Sequence, residues 1–182
     1  LNNDTSSGNV AIGWRSGYTT TTGGSNVAVG DRALYLNTSG NTNVATGFMS
    51  LYNNTTGSEN TSIGRSSLYN NTTASQNTAV GGYALNANTT ASQNTAVGYE
   101  SLKENTTGQR NTAVGWNALL KNTTSQGNTA VGAYAGDSNT TGASNTFIGY
   151  DTAPANTTGA NNTSLGAGSL HENTSGYDNT AI

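Results

Sequence analysis

The chain repeats one 17-residue unit about ten and a half times, without insertion or deletion. Each copy follows the consensus Asn-Thr-Ala-Val-Gly-x-x-Ala-Leu-x-x-Asn-Thr-Thr-Gly-Ser-x, whose positions are numbered from one to seventeen below. A fixed period of this length is typical of a solenoid, in which each copy forms one coil stacked on the previous coil. The copies begin at Asn9, Asn26, Asn43, Asn60, Asn77, Asn94, Asn111, Asn128, Asn145, Asn162 and Asn179.

The unbroken period predicts an all-β fold, a parallel β-solenoid or β-roll with one repeat per coil and about ten and a half coils. It also predicts a single repeat domain over residues 1–182. Leu1 and Ile182 both lie inside a copy, so we expect the chain to be part of a longer array. Helix is disfavoured, because Gly and Asn interrupt every copy and no copy has an apolar stripe of helical spacing.

Composition narrows the function classes. Apolar residues make up 32% of the chain and charged residues 8%, which would indicate disorder if the chain had no period. The net charge of −3 comes from scattered residues, so we expect no nucleic-acid partner. The chain has no Cys and no apolar run of about 20 residues, so we expect neither disulfides nor membrane insertion in this segment. We predict an extracellular or cell-surface location.

Within a copy, Thr-Ala-Val predicts a short strand, and the Ala-Leu segment predicts a second short strand or extended stretch. Val or Ile at position four and Leu at position nine supply the large apolar side chains, and Ala and Ser around them are small enough for tight packing. Asn-Thr-Thr-Gly predicts one corner and the Gly at position five predicts another, because Gly tolerates positive φ. These corner glycines are Gly30, Gly47, Gly64, Gly81, Gly98, Gly115, Gly132 and Gly149.

Stacked coils place identical side chains above one another, at about 4.8 Å per coil. The Asn at position one is therefore the candidate for a structural amide ladder, donating to one neighbour and accepting from the next. Its alternative interpretation is a turn former. The candidate ladder comprises Asn26, Asn43, Asn60, Asn77, Asn94, Asn111, Asn128, Asn145 and Asn162.

Each coil has only two or three large apolar side chains to bury. Their burial is a small gain against the conformational entropy that is lost when the residues of the coil become ordered. We therefore predict that a further face is buried by self-association, in a trimer or in a head-to-tail or lateral filament.

Aromatic residues form partial columns at positions six and ten. They are candidates for sugar binding or for an interface, and the simpler interpretation is a ladder that stabilises the rod. The residues concerned are Tyr18, Tyr35, Tyr52, Tyr69, Trp14, Tyr99 and Trp116.

The Asn at position twelve begins an Asn-x-Thr/Ser sequence in nine successive copies, which is the acceptor pattern for N-glycosylation where the host provides it. The alternative is that these residues form a turn, and that its Thr residues match the acceptor pattern by coincidence. The acceptor candidates are Asn37, Asn54, Asn71, Asn88, Asn105, Asn122, Asn139, Asn156 and Asn173.

Other site chemistry is poorly supported. An ice-binding face needs a regular outward Thr-x-Thr strand, whereas the Thr pair here lies in a predicted corner. A calcium β-roll needs Asp-rich turns, and Asp is rare in this chain. His171 is the only histidine and the acids do not recur in register, so we expect no enzyme, no metal site and no cofactor.

The segment from Asn77 to Thr90 and its copies resemble a repeat of bacterial surface proteins and phage tail-fibre-like proteins. The core from Asn9 to Gly13 is also similar to the head repeats of trimeric autotransporter adhesins. That resemblance implies a trimer of parallel β-rolls that binds host matrix or other cells. It extends over essentially the whole chain, although the adhesin head repeat is shorter than 17 residues.

We therefore predict a non-enzymatic, self-associating fibre or filament segment with an adhesive role. The alternatives are a phage tail-fibre shaft in a virion tail, an adhesin head that binds glycans or extracellular matrix, and an ice-binding protein.

Overall fold

The computed structural model describes residues 7–182, so the preceding corner that the repeat places in residues 1–6 lies outside the described residues. Each copy contributes one short strand, numbered β1 to β11 in chain order. The strands are Val10–Ile12, Val27–Val29, Val44–Thr46, Thr61–Ile63, Thr78–Val80, Thr95–Val97, Thr112–Val114, Thr129–Val131, Thr146–Ile148, Thr163–Leu165 and Thr180–Ala181.

All eleven strands form one parallel sheet in the order of the sequence, and each residue pairs with its equivalent in the next copy. In β5 and β6, for example, Thr78 pairs with Thr95 and Val80 pairs with Val97. One repeat per coil and a parallel β-solenoid are thus confirmed.

The hydrogen-bonded stacking continues around the coil beyond the sheet. The Leu68 N–H donates to the Ala84 carbonyl at 3.0 Å, and the Thr72 N–H donates to the Thr89 carbonyl at 3.0 Å. Each bond joins one coil to the next, so the backbone groups of the irregular segments are also satisfied between coils. The solenoid is therefore held together along its axis on every side, although only one side has strand geometry.

The predicted second strand at Ala-Leu is wrong in the described residues. Position nine lies in the left-handed region, with φ of +50° at Leu85, and position seven does so as well, with φ of +59° at Tyr83. This backbone turns the chain sharply and places the Leu side chain in the interior. Non-glycine residues pay about 1–2 kcal/mol for this conformation, which burial of Leu offsets.

The interior is built from small side chains and one Leu column. Ala79 at position three, Ala84 at position eight and Leu85 at position nine are all fully buried. Val80 at position four points outward instead, so the expectation that Val and Leu pack together in the core is wrong for the Val column. The reason is the alternation of the strand: its middle residue faces inward, and Leu from position nine fills the space that a second large side chain would need.

Departures from the consensus inside the core compensate one another. Phe147 replaces Ala at position three and is fully buried. At position nine, where regular coils have Leu, the same coil has Ala153 and the coil before it has Gly136. A Cβ atom added to Gly136 would lie 2.4 Å from Cδ2 of Phe147. The phenyl ring therefore occupies the space that Leu takes in regular coils.

Buried hydroxyls are matched in the same way. Ser62 replaces Ala at position three, and its Oγ lies 2.6 Å from Oγ of Ser67 and 2.8 Å from Oγ of Ser50. Each hydroxyl thereby has a partner in a region where an unpaired polar group would be costly.

Candidate functional site

The asparagines at position one form a buried ladder that links side chains to the backbone. In a typical step, the Asn60 N–H donates to Oδ1 of Asn43 at 3.0 Å. The Asn43 amide in turn donates from Nδ2 to the Gly57 carbonyl at 2.9 Å. The Asn43 side chain thereby connects its own backbone with the Gly57 carbonyl and with the Asn60 N–H of the next coil. Every Asn of the predicted ladder from Asn26 to Asn162 is buried.

A second buried ladder lies at position twelve, which the sequence interpretation treated as a surface corner. Nδ2 of Asn54 donates to Oδ1 of Asn37 at 2.8 Å and to the Gly57 carbonyl at 2.9 Å. The position-fifteen carbonyl therefore accepts from both ladders. Repetition alone could not have revealed this burial, because Thr at position thirteen is repeated as strictly and is only half-buried or exposed.

This burial bears directly on the glycosylation candidates. The side chains from Asn37 to Asn156 are completely buried, and Asn173 is partly buried and bonded to Asn156 at 2.7 Å. A glycan on a buried Nδ2 would displace the neighbouring coil and break two hydrogen bonds. N-glycosylation at these positions is therefore incompatible with the packing of the folded solenoid.

The corner glycines at position five lie where two coils approach most closely. Their φ values run from +129° at Gly47 to +142° at Gly115, a region that L side chains rarely adopt. A Cβ added to Gly98 would lie 2.3 Å from the Gly115 carbonyl oxygen. Position five therefore requires Gly for both its backbone conformation and its space.

The outer face of the sheet is formed by positions two and four, and we call it the Thr/Val face. Its apolar members are half-buried or exposed: Val80 and Val97 are half-buried, whereas Val114 is 36% and Ile12 is 61% exposed. Across residues 7–182 it carries no charged side chain, because every Lys, Arg, Asp and Glu lies at position six, seven, ten, eleven or seventeen. Three exposed aromatics flank it in the later coils, namely Tyr99, Trp116 and Tyr150.

The tyrosines at position ten form a stacked column. Successive ring centroids from Tyr18 through Tyr35 and Tyr52 to Tyr69 are separated by 5.4, 5.0 and 5.1 Å, with interplanar angles of 5° to 11°. Each inner ring is covered on both faces by its neighbours. Stacking of a sugar on Tyr35 or Tyr52 is therefore blocked, and only ring edges and hydroxyls face the solvent.

Trp14 lies next to this column and contacts two cations. The guanidinium carbons of Arg15 and Arg32 lie 4.5 and 4.6 Å from the Trp14 ring centroid. Tyr99 and Trp116, the other position-six candidates, instead contact Tyr83 and Tyr134.

Ionisable groups interact locally. The Lys103 ammonium donates to Glu100 at 2.8 Å, which raises the pKa of Lys103. The negative charge of Glu100 raises the pKa of Tyr99, and burial raises the pKa of Asp137. His171 lies 2.9 Å from Glu172 on the surface. Among residues 7–182, no three His, Asp or Glu side chains lie together where they could hold a metal ion, and no pocket is enclosed.

Comparison with known proteins gives no relative: no family model, curated protein or solved structure matches the chain. The part of the chain that the structure describes contains no helix able to cross a membrane.

Proposed function

We propose that the chain is a non-enzymatic rod segment of an extracellular or cell-surface fibre, and that copies associate through the Thr/Val face. The observation that carries this proposal is the uncharged, half-apolar outer face of the sheet, which continues through every described coil. Contiguous exposed apolar surface of this kind marks protein interaction sites.

The size of the Thr/Val face fits an interface between copies. Ten steps of about 4.8 Å give a length of roughly 50 Å, and three residues of strand give a width of roughly 10 Å. The footprint is therefore about 500 Å² on each partner, or about 1,000 Å² in total, which reaches the size expected of a specific interface. Tyr99, Trp116 and Tyr150 extend the apolar area at its edge.

The chemistry of the Thr/Val face favours a second copy as its occupant. The face has no charge that a partner would have to neutralise, and its side chains repeat at the coil spacing. Two or three copies aligned along their axes would therefore match side-chain rows over the full length of the rod. A closed trimer would bury this face on every copy, as would lateral packing in a filament.

Sedimentation equilibrium tests this proposal with two matched variants. Val97→Lys, Val114→Lys and Val131→Lys together place three cations on the Thr/Val face of adjacent coils. Thr107→Lys, Thr124→Lys and Thr141→Lys place three cations in the same coils, on the exposed side of position fourteen. We expect oligomers for the native chain and the Thr variant, and monomers for the Val variant.

A native chain that remains monomeric at high micromolar concentration would contradict the proposal. So would loss of association in both triple variants, because that result would reflect total charge rather than this face. The far-UV circular dichroism of each variant shows whether the solenoid is retained. Antibody labelling of the source material then distinguishes a cell-surface fibre from a virion tail fibre.

A further inference from the structure

The first four coils carry a surface of arginines and aromatic residues that lies outside the Thr/Val face. We call it the Arg/Tyr surface and define it by Trp14, Arg15, Arg32 and the column of four stacked tyrosines. The Arg15 guanidinium carbon lies 4.5 Å from the Trp14 ring centroid and 5.3 Å from that of Tyr18. The Arg32 guanidinium carbon lies 4.6 Å from the same indole. One aromatic ring thus orients two cations.

The charge of these arginines is only partly neutralised. Among the described residues Arg15 has no acidic partner, and Nε of Arg32 lies 3.7 Å from Oδ1 of Asp31, beyond hydrogen-bond distance. Arg65 adds a third cation two coils further along the rod, where its guanidinium carbon lies 5.9 Å from the Phe48 ring centroid. The guanidinium N–H groups therefore remain open to an anion, since cation–π contact engages the face of the guanidinium and leaves its edge free.

The rod as a whole is electrostatically asymmetric. From the fifth coil onward, the chain contains three cations and six acids, which gives this part a net charge of −3. The cations are Lys103, Arg110 and Lys121, and the acids are Glu100, Glu104, Asp137, Asp151, Glu172 and Asp178. Residues 1–76 hold three arginines and three acids, for a net charge of zero. An anionic partner would therefore be repelled by the later coils but not by the first four.

Neutral donors lie beside the arginines. The hydroxyls of Tyr18, Tyr35, Tyr52 and Tyr69 make no hydrogen bond to the described protein, and their rings repeat every 5.0 to 5.4 Å. The stacked rings hold these hydroxyls in a row of roughly 15 Å, at about 4.8 Å per coil. Such a row suits an extended polymer of sugars better than a small ligand, which would need an enclosed site.

We propose that the Arg/Tyr surface binds a sulfated polysaccharide. The guanidinium groups of Arg15 and Arg32 pair with sulfate oxygens, for which the planar guanidinium fork is well matched. The tyrosine hydroxyls donate to or accept from sugar hydroxyls along the row. Nucleic acid is a poorer fit, because the inner tyrosine rings are covered on both faces by their neighbours and offer no surface on which a base could stack.

Biolayer interferometry with immobilised dextran sulfate, and with uncharged dextran as reference, tests this proposal. Arg15→Gln with Arg32→Gln removes the paired cations, whereas Lys103→Gln with Lys121→Gln removes the same charge in later coils. We expect the native chain to bind dextran sulfate and not dextran. We expect the Arg variant to bind at least tenfold more weakly and the Lys variant to stay within twofold of the native chain.

Salt dependence and a third variant sharpen the test. The slope of log affinity against log salt concentration should become shallower by about one to two in the Arg variant. The reason is that each lost ionic contact releases about one counterion fewer on binding. Trp14→Ala should weaken binding although it removes no charge, because both guanidinium groups lose the ring that orients them. The melting temperature of each variant confirms that the coils are intact.

Absence of binding by the native chain would overturn the proposal, as would equal losses in the Arg and Lys variants. A single-stranded DNA oligonucleotide that binds as tightly as dextran sulfate would also overturn it, since it would show general attraction to polyanions. Binding and self-association can fail separately, because the Val97, Val114 and Val131 variant leaves the Arg/Tyr surface unchanged.

Discussion

The compensation between Phe147 and Gly136 makes a sharp prediction about the core. Phe147→Ala removes a ring that is fully buried in the narrow interior. Substitutions of buried Phe by Ala cost about 3–5 kcal/mol in free energy of unfolding. We expect a value near the upper end, because neighbouring position nine holds Gly136, which has no side chain to collapse into the space.

The reverse change tests the same contact from its other side. In Gly136→Leu the new Cβ would lie 2.4 Å from Cδ2 of Phe147, so the coils must move apart. Overpacking of this kind costs about 1–3 kcal/mol. The backbone itself accepts Leu, because Gly136 has φ of +58° and the Leu residues at position nine have nearly the same conformation.

Combining the two changes restores the arrangement of a regular coil. Phe147→Ala with Gly136→Leu should therefore be more stable than either single variant, with a coupling energy of about 3 kcal/mol, at the upper end for contacting residues. Local stability is best measured by hydrogen exchange with mass spectrometry of peptides from residues 129–165, because solenoids open coil by coil.

Leu68→Ala provides the control. It creates a cavity in a regular coil about 19 Å from Gly136, at about 4.8 Å per coil, so its cost should add to that of Gly136→Leu within about 0.5 kcal/mol. Additive costs for Phe147→Ala and Gly136→Leu would refute the compensation.

Three further predictions concern the corners, the ladders and charge. Gly98→Val should lower the melting temperature by several degrees, because its φ is +135° and its Cβ would meet the Gly115 carbonyl at 2.3 Å; an unchanged melting temperature would contradict the positive-φ requirement. Asn88→Ala should cost about 1–3 kcal/mol in urea unfolding, because buried acceptors on Asn71 and Ala91 lose a donor, whereas Thr90→Ala on the surface should be nearly neutral. Burial raises the pKa of Asp137, so its charged form is disfavoured in the folded chain. Asp137→Asn should therefore raise the melting temperature at neutral pH and lose this advantage below roughly pH 3, where the unfolded carboxyl is also protonated; an equal gain at both pH values would argue against a charge effect.

The architecture could be predicted almost completely from the sequence. A constant 17-residue period means that every coil has the same length, so each coil can stack in register on the one before it. The sequence is less informative about which residues face inward. Ala79 lies inside and Val80 outside because Leu85 has already filled the interior, and this depends on the left-handed conformation of Leu85. Apolar residues rarely adopt that conformation, so local propensity predicts a strand there instead.

The two asparagine positions show the same limit. Asn60 and Asn88 are equally buried, yet only the first was predicted to form a ladder, because Asn followed by two Thr is also a common turn sequence. Val and Ile at position four were expected to pack with Leu inside the coil, so the surface proposed for association became visible only when the strand's inward and outward sides were known. The Arg/Tyr surface likewise depends on contacts of Trp14 that the repeat does not encode.

Cryo-electron microscopy of the assembled native material tests the central claim most directly. We expect a coil rise of about 4.8 Å along each rod and the side chains of Val97, Val114 and Val131 buried against another copy. Assemblies in which these side chains face solvent, while copies meet through another surface, would contradict the proposed association.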